Sequence, residues 1–536
     1  MPGTVTTDLT TVDAADALTN WLTIGTWATT PLINADMPVQ GTNCVIGRVS
    51  ANTAWELAAA SAVNLTTGNH VFTWRKNVTW PGTDTKANGG VTVCISSDAT
   101  PTLTGTSPTN GPTNSKTWNV GGSDTDVVTG WTCYVFDPNG TADLVIGTPN
   151  VATVNRIGGR AKLTATIGSG NFKPDNIMFD AIRYGTSLIM NGGTSGAPAG
   201  FADFYSADSN TTNAYGIITQ QSGIYFLAGK LKFGTAAQSA ITFFADTNRT
   251  LAFQKFPVNV SFYELALAGA SGFITTVQFG SLAGSVASDG VTIQGADNTV
   301  LWTLTASDAN SVFKAYASTF LQMKSAALNA AAVLNGCSIV QSGTVTPNGA
   351  TITGCNFETL ATAAPISAVN ALVINSPSEL AAVTGCQFIN CNHAIKITAA
   401  GTYTMNANLF SGNTFDIENA STGLVTINAI NGSTPSTFTN TNGGTTVINN
   451  SVTLTLTGLV SGSNLDILAA GTSTVLANQE SSGTSFAYTY SFVSGTHVDI
   501  VVYDDGYVPF TIRNYLLSST PASLPISQVP DRNYVA

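Results

Sequence analysis

Two acidic side chains, Asp416 and Glu418, stand two residues apart in a segment that alternates as a strand does, so period-2 geometry puts both on one face. Glycosidic cleavage needs such a pair, one carboxyl to protonate the leaving oxygen and one to attack or to activate water. Like charge at close range then raises one of the two pKa values. These two are the catalytic candidates, drawn from a scattered set that also holds Asp289, Asp297, Asp308, Glu358 and Glu379. The competing reading of the same residues is a solvated flank without chemistry. Asp124 and Asp126, in Gly122-Ser123-Asp124-Thr125-Asp126, offer the several loop oxygens that calcium prefers, although such pairs are common in plain turns.

Other reaction chemistry is thin. The chain has no HExxH, no GxSxG and no dinucleotide fingerprint, and the stretch from Gly223 to Lys230 lacks the spacing of a phosphate loop. His70, His393 and His497 are the only histidines, none next to a Ser or Cys nucleophile, and they read as structural. No cofactor and no structural metal are expected.

Aromatic residues suggest binding instead. Seven of eight tryptophans, at 21, 27, 55, 74, 80, 118 and 131, fall in the first quarter of the chain. Trp80, Trp118 and Trp131 are candidates for stacking on sugar rings, against the alternative that they fill a core.

Strands must position all of these residues. Segments such as His70-Val71-Phe72-Thr73-Trp74 and Trp131-Thr132-Cys133-Tyr134-Val135-Phe136 alternate, with Gly, Asn, Pro and Asp between them. Residues 1–185 therefore read as a jelly-roll-like sandwich. Further on a phrase recurs, Gly336-Cys337-Ser338-Ile339, Gly354-Cys355-Asn356-Phe357 and Gly385-Cys386-Gln387-Phe388, with a degenerate copy at Leu409-Phe410. Steps of 18, 31 and 22 residues between Ile339, Phe357, Phe388 and Phe410 suit turns of a parallel β-helix, assigned to residues 186–445. Alternation turns Cys337, Cys355 and Cys386 inward beside those apolar residues, as small core side chains.

Asn356, Asn390, Asn392 and Asn413 are expected at the corners, where a left-handed backbone is needed. The Ala-rich stretch 325–333 fits a helical turn or a strand equally. Residues 431–450 read as a linker or cap, 446–517 as a small immunoglobulin-like sandwich, and 518–536 as an extended tail lying along a neighbour. The fold class is all-β.

Bulk composition narrows the function classes. Only 9% of the 536 residues are Asp, Glu, Lys or Arg, against about 25% in ordinary soluble domains. The net charge is −11 and the longest basic cluster is Arg75-Lys76, which gives nucleic-acid binding almost no electrostatic footing. No stretch of about 18 apolar residues predicts a membrane span, and no secretory leader is read at the start. A β-rich shaft without an export signal fits assembly in a host cytoplasm and location on a virion.

Two sets of segments resemble a known group. Lys116-Thr117-Trp118-Asn119-Val120-Gly121-Gly122, Gly130-Trp131-Thr132-Cys133-Tyr134-Val135-Phe136-Asp137-Pro138 and Phe179-Asp180-Ala181-Ile182-Arg183-Tyr184-Gly185 resemble the N-terminal region of large structural proteins of tailed bacteriophages. Val498-Asp499-Ile500-Val501-Val502, Gly506-Tyr507 and Asp531-Arg532-Asn533-Tyr534 resemble the C-terminal module of the same group. The resemblance implies a fibre, spike or capsid-attached decoration, usually a homotrimer. Other virion proteins of capsid, neck or tail would be its partners, with a host-surface glycan as a further one. It lends no catalytic residues. The alternative is a polysaccharide depolymerase or lyase using the carboxylates first considered.

Overall fold

The computed structural model describes residues 3–35, 38–49, 55–66, 68–77, 84–105, 109–122, 130–162, 176–209, 214–254, 263–296, 301–359, 370–492, 495–518 and 520–532. Two short helices, Phe201–Asp208 and Pro377–Ala381, interrupt an otherwise all-β chain among the described residues. None is long and apolar enough to cross a membrane. The chain forms two units: Met1–Ser281 with Ser288–Phe313 and Leu321–Met323, and Leu282–Ala287 with Lys314–Phe320 and Lys324–Ala536.

The first unit opens with two six-stranded antiparallel sheets. One runs Leu144–Ile146, Ser115–Gly121, Val91–Ser96, Val154–Ala161, Trp55–Val63, Trp21–Ile24; the other centres on His70–Asn77 between Gly130–Phe136 and Asn176–Gly185. Their apolar layer contains Val71, Val93, Ile95, Trp118, Tyr134, Phe136 and Ile157. Charged groups are buried here too. The Arg75 guanidinium lies 5.0 Å over the Phe179 ring and that of Arg160 4.9 Å over Trp55, so aromatic faces meet these buried cations. Fully buried Glu56 accepts no hydrogen bond from the described residues at either oxygen, and burial, opposed by Arg75, pushes its pKa up to about 8.

Pairing changes from antiparallel to parallel immediately after this sandwich. Ser187–Asn191 pairs in parallel with Lys230–Phe233, which pairs with Tyr263–Leu267 and then Trp302–Thr305. Ile224–Leu227, Thr250–Phe253 and Thr292–Gln294 form a second parallel ladder, and Thr242–Asp246 with Thr275–Phe279 a third. The strands of the three ladders alternate along the chain, so each return of the backbone adds one strand to each. Phe201, Phe233, Phe244 and Phe279 meet between them, with ring centroids of 4.8 Å for Phe233–Phe244 and 5.1 Å for Phe201–Phe244.

The second unit repeats this arrangement with its own strands. Ile339 pairs with Phe357, Phe357 with Phe388, and Phe388 with Phe410, all parallel. The register is the one the recurring phrase predicts. Cys337, Cys355 and Cys386 are buried beside them, and all seven cysteines are free thiols. The corner is made by the glycine of the phrase: Gly336, Gly354 and Gly385 have φ of +63°, +61° and +64°, and Ala407 takes that place in the degenerate copy at φ +55°. Among the expected corner asparagines only Asn390 is left-handed, at φ +53°. Asn413 instead bridges turns, accepting from the Cys391 N–H at 2.8 Å and donating to the Phe388 carbonyl at 3.1 Å. The Ala-rich stretch splits into strands Met323–Ala327 and Val333–Asn335.

Two expectations are corrected near the C-terminus. Residues 431–450 are not a linker: they contain strand Phe438–Asn440, and the single strand Thr445–Thr457 pairs parallel with Leu424–Ile430 through Asn450 and antiparallel with Ser485–Ser491 from Ser451 onward. The tail packs on its own chain. Ala522–Pro525 pairs in parallel with Thr445–Thr457 of its own chain, and Ile526 is buried in a core with Leu454, Leu456, Leu465 and Ile500.

Candidate functional site

In the first unit a cleft of about 850 Å³ opens between strands of the antiparallel sheets and the second parallel ladder. One wall is Gly130–Phe136 against His70–Asn77, where Cys133 stands opposite Trp74 and Trp131 opposite Lys76. Alternation puts Trp131 and Cys133 on the face that carries Trp74, so the two indoles form a diagonal cross-strand pair. The Trp74 Nε1–H donates to the Ala214 carbonyl at 2.7 Å, which fixes the ring.

The floor is one column across the ladder. Thr219 pairs with Phe226, Phe226 with Ala252, and Ala252 with Gln294. Gln220, Gln221 and Gln254 complete the polar lining, and the Gln254 Nε2 donates to Thr219 Oγ1 at 3.1 Å. None of the described lining residues is Asp, Glu, Lys, Arg or His.

Segment 214–218, which joins wall to floor, is held from behind. The Arg183 Nη1 donates to the Ala214 carbonyl at 2.7 Å and its guanidinium lies 4.9 Å over the Tyr215 ring. Buried Asp208, at the end of helix Phe201–Asp208, accepts from the N–H groups of Gly216, Ile217 and Ile218 at 2.7, 2.8 and 2.7 Å. Burial pushes its pKa up to about 6 despite these bonds. Gly216 has φ +78°, and a Cβ there would sit 2.4 Å from the Cys133 sulfur, so only glycine fits.

Of the tryptophans proposed from sequence, Trp131 lines this cleft. Trp118 does not: it is completely buried, its Nε1–H donates to the Thr141 carbonyl at 2.9 Å, and its ring lies 4.9 Å from Phe136. That ring has no face for a ligand, which corrects the sequence reading. Trp80, Asp124, Asp126 and Asp297 lie outside the described residues. The four glutamines and Trp74 were not singled out from sequence.

Asp416 and Glu418 both lie on strand Phe415–Asn419 and are nearly buried. Asp416 Oδ2 accepts from the N–H groups of Ser436 and Thr437 at 2.8 and 3.1 Å, and Oδ1 from the Asn413 amide at 3.0 Å. Glu418 meets Lys396 Nζ at 3.1 Å, His393 Nδ1 at 2.8 Å and Thr441 Oγ1 at 3.0 Å. Burial works to raise the Glu418 pKa, but these partners hold the carboxyl below the ordinary glutamate range. A general acid needs the opposite shift. Among the described residues no three His, Cys, Asp or Glu side chains are grouped to hold a metal.

No family model and no curated protein matches the chain. Among solved structures it is similar to the catalytic unit of a thermostable GH87 α-1,3-glucanase from Streptomyces thermodiastaticus, at 11% identity and TM-score 0.25, covering 83% of this chain and 75% of that one. It is also similar to the Agl-KA catalytic domain, at 10% identity and TM-score 0.18, covering 83% and 98%. The C-terminal family 22 carbohydrate-binding module of Clostridium thermocellum Xyn10B matches at 12% identity and TM-score 0.17, over 31% of this chain and 86% of that one. Superposition and identity at this level transfer neither activity nor ligand.

Proposed function

We propose that this chain is a structural protein of a tailed-bacteriophage virion that acts by assembly and binding. In this reading the antiparallel N-terminal sheets are a jelly-roll-like sandwich, the parallel ladders a β-helix shaft, and the C-terminal sheets an immunoglobulin-like sandwich. The reading is supported first by the resemblance of the segments around Trp131, Phe179 and Val498. A solenoid with an inward column of Ile339, Phe357 and Phe388 is a stiff spacer, which is what a fibre, spike or decoration needs. Homotrimerisation would cover sheet edges such as Leu409–Ser411, the last strand of its ladder. Capsid, neck or tail proteins and a host surface are the partners.

The observation that carries binding over cleavage is the engagement of the carboxylate pair. Asp416 caps the segment at Ser436 and Thr437 and Glu418 neutralises Lys396, so each has a complete structural role. The test is incubation of the purified chain with host capsular polysaccharide. Retention on host cells without reducing-sugar release is expected. Release of reducing sugar that is abolished by Asp416→Asn or Glu418→Gln would replace this reading with a depolymerase.

A further inference from the structure

Resting on that binding reading, we infer that the cleft beside Trp131 takes a neutral oligosaccharide. Its lining joins two ligand-recognition chemistries and lacks a third. Trp74 and Trp131 present apolar ring surface, against which the C–H face of a pyranose packs. Gln220, Gln221, Gln254 and Gln294 surround it with amides, each able to donate twice and accept, which suits paired sugar hydroxyls. Among the described residues no charged side chain lines the cleft, so a uronate or sialate carboxylate would lose hydration there without a counter-ion. At about 850 Å³ it lies toward the upper end of the ~300–1,000 Å³ range of ligand pockets, more than one sugar ring requires.

The site is also built before any ligand arrives. Trp74 is locked through Ala214, Gln254 through Thr219, and the joining segment through Asp208 and Arg183. Locked side chains lower the ordering cost of binding. With its Nε2 on Thr219, Gln254 keeps its amide oxygen as an acceptor for a hydroxyl.

Calorimetry and intrinsic tryptophan fluorescence on the full chain test this with laminarihexaose, maltohexaose, cellohexaose and N-acetylchitohexaose, and with polygalacturonate as the anionic probe. Saturable binding of at least one neutral hexasaccharide is expected, little changed by raising salt to about 0.5 M. Trp131→Ala should weaken it about tenfold or more, and exposed Gln220→Ala should weaken it without altering the circular-dichroism melt. Binding of none of the neutral probes, binding of polygalacturonate alone, or binding that neither substitution changes would overturn the inference. Virion incorporation of Trp131→Ala separates the two readings. A variant that loses the hexasaccharide yet still enters particles leaves the virion role standing, whereas hexasaccharide binding by a chain absent from particles removes only that role.

Discussion

Phe357 and Phe388, brought together by a whole turn of the chain, stack with ring centroids 5.1 Å apart and planes 9° from parallel. Phe410 continues the column at 5.1 Å and 12°. Such pairs add about 0.5–1.5 kcal/mol to the burial of the rings themselves. Phe388 is completely buried with a ring on each side, so Phe388→Ala is expected to cost ~3–5 kcal/mol in equilibrium denaturation of the second unit. Phe410 ends the column half-buried, and Phe410→Ala should cost less than half as much.

The glycine of the recurring phrase is needed for its backbone, not for space. Gly354 has φ +61°, and an added Cβ would meet nothing within 4 Å. Gly354→Ala should therefore destabilise by about 1–2 kcal/mol, the ordinary cost of a left-handed L-residue, while Gly354→Asn costs less because asparagine tolerates that region. Equal losses for the two substitutions would mean that packing, not conformation, fixes the corner.

Three buried carboxyls of the first unit have raised pKa values, Glu56 about 8, Asp180 about 7 and Asp208 about 6, with burial the leading cause in each. Between the unfolded values near 4 and these folded values the native state holds protons that the unfolded chain has released, so stability falls as pH rises. Asp8 works in the other direction: burial opposes its ionisation, but bonds from Ser187 and Thr186 bring its pKa down to about 2, and its contribution is lost only as pH falls below about 4. The melting temperature of the first unit should therefore be higher at pH 5 than at pH 8.5. Glu56→Gln should flatten much of that slope; an unchanged slope would show that Glu56 is solvated in the native state.

Glu418 is 5% exposed and Lys396 30% exposed, a partly buried pair that His393 and Thr441 complete. Removing the charge in Glu418→Gln leaves Lys396 without its anion and should cost ~1–3 kcal/mol, read as a lower denaturation midpoint of the second unit. Lys396→Met in the same background should cost less than in the wild type, because the two act as one pair.

The parallel pairing of the second unit was legible because its signal recurs in the sequence: Gly, Cys and an apolar residue return in fixed order at 336–339, 354–357 and 385–388, and each copy lands in register with the next. Only the first half of strand Thr445–Thr457 was hidden, because it faces neighbours through polar contacts, such as Asn449 Nδ2 to Asn428 Oδ1 at 3.0 Å, and carries no hydrophobic alternation. Trp118 and Trp131 could not be told apart from sequence, since alternation sorts residues into two faces without saying which face a second sheet covers. The column that floors the cleft was invisible for another reason. Phe226, Ala252 and Gln294 meet across returns of unequal length, and no fixed period marks them.

Immunogold electron microscopy of phage particles, with antibody against residues 445–532, tests the central claim most directly. The proposed virion role predicts gold at one reproducible position on intact particles. Gold confined to the soluble fraction of the lysate, with particles bare, would contradict it.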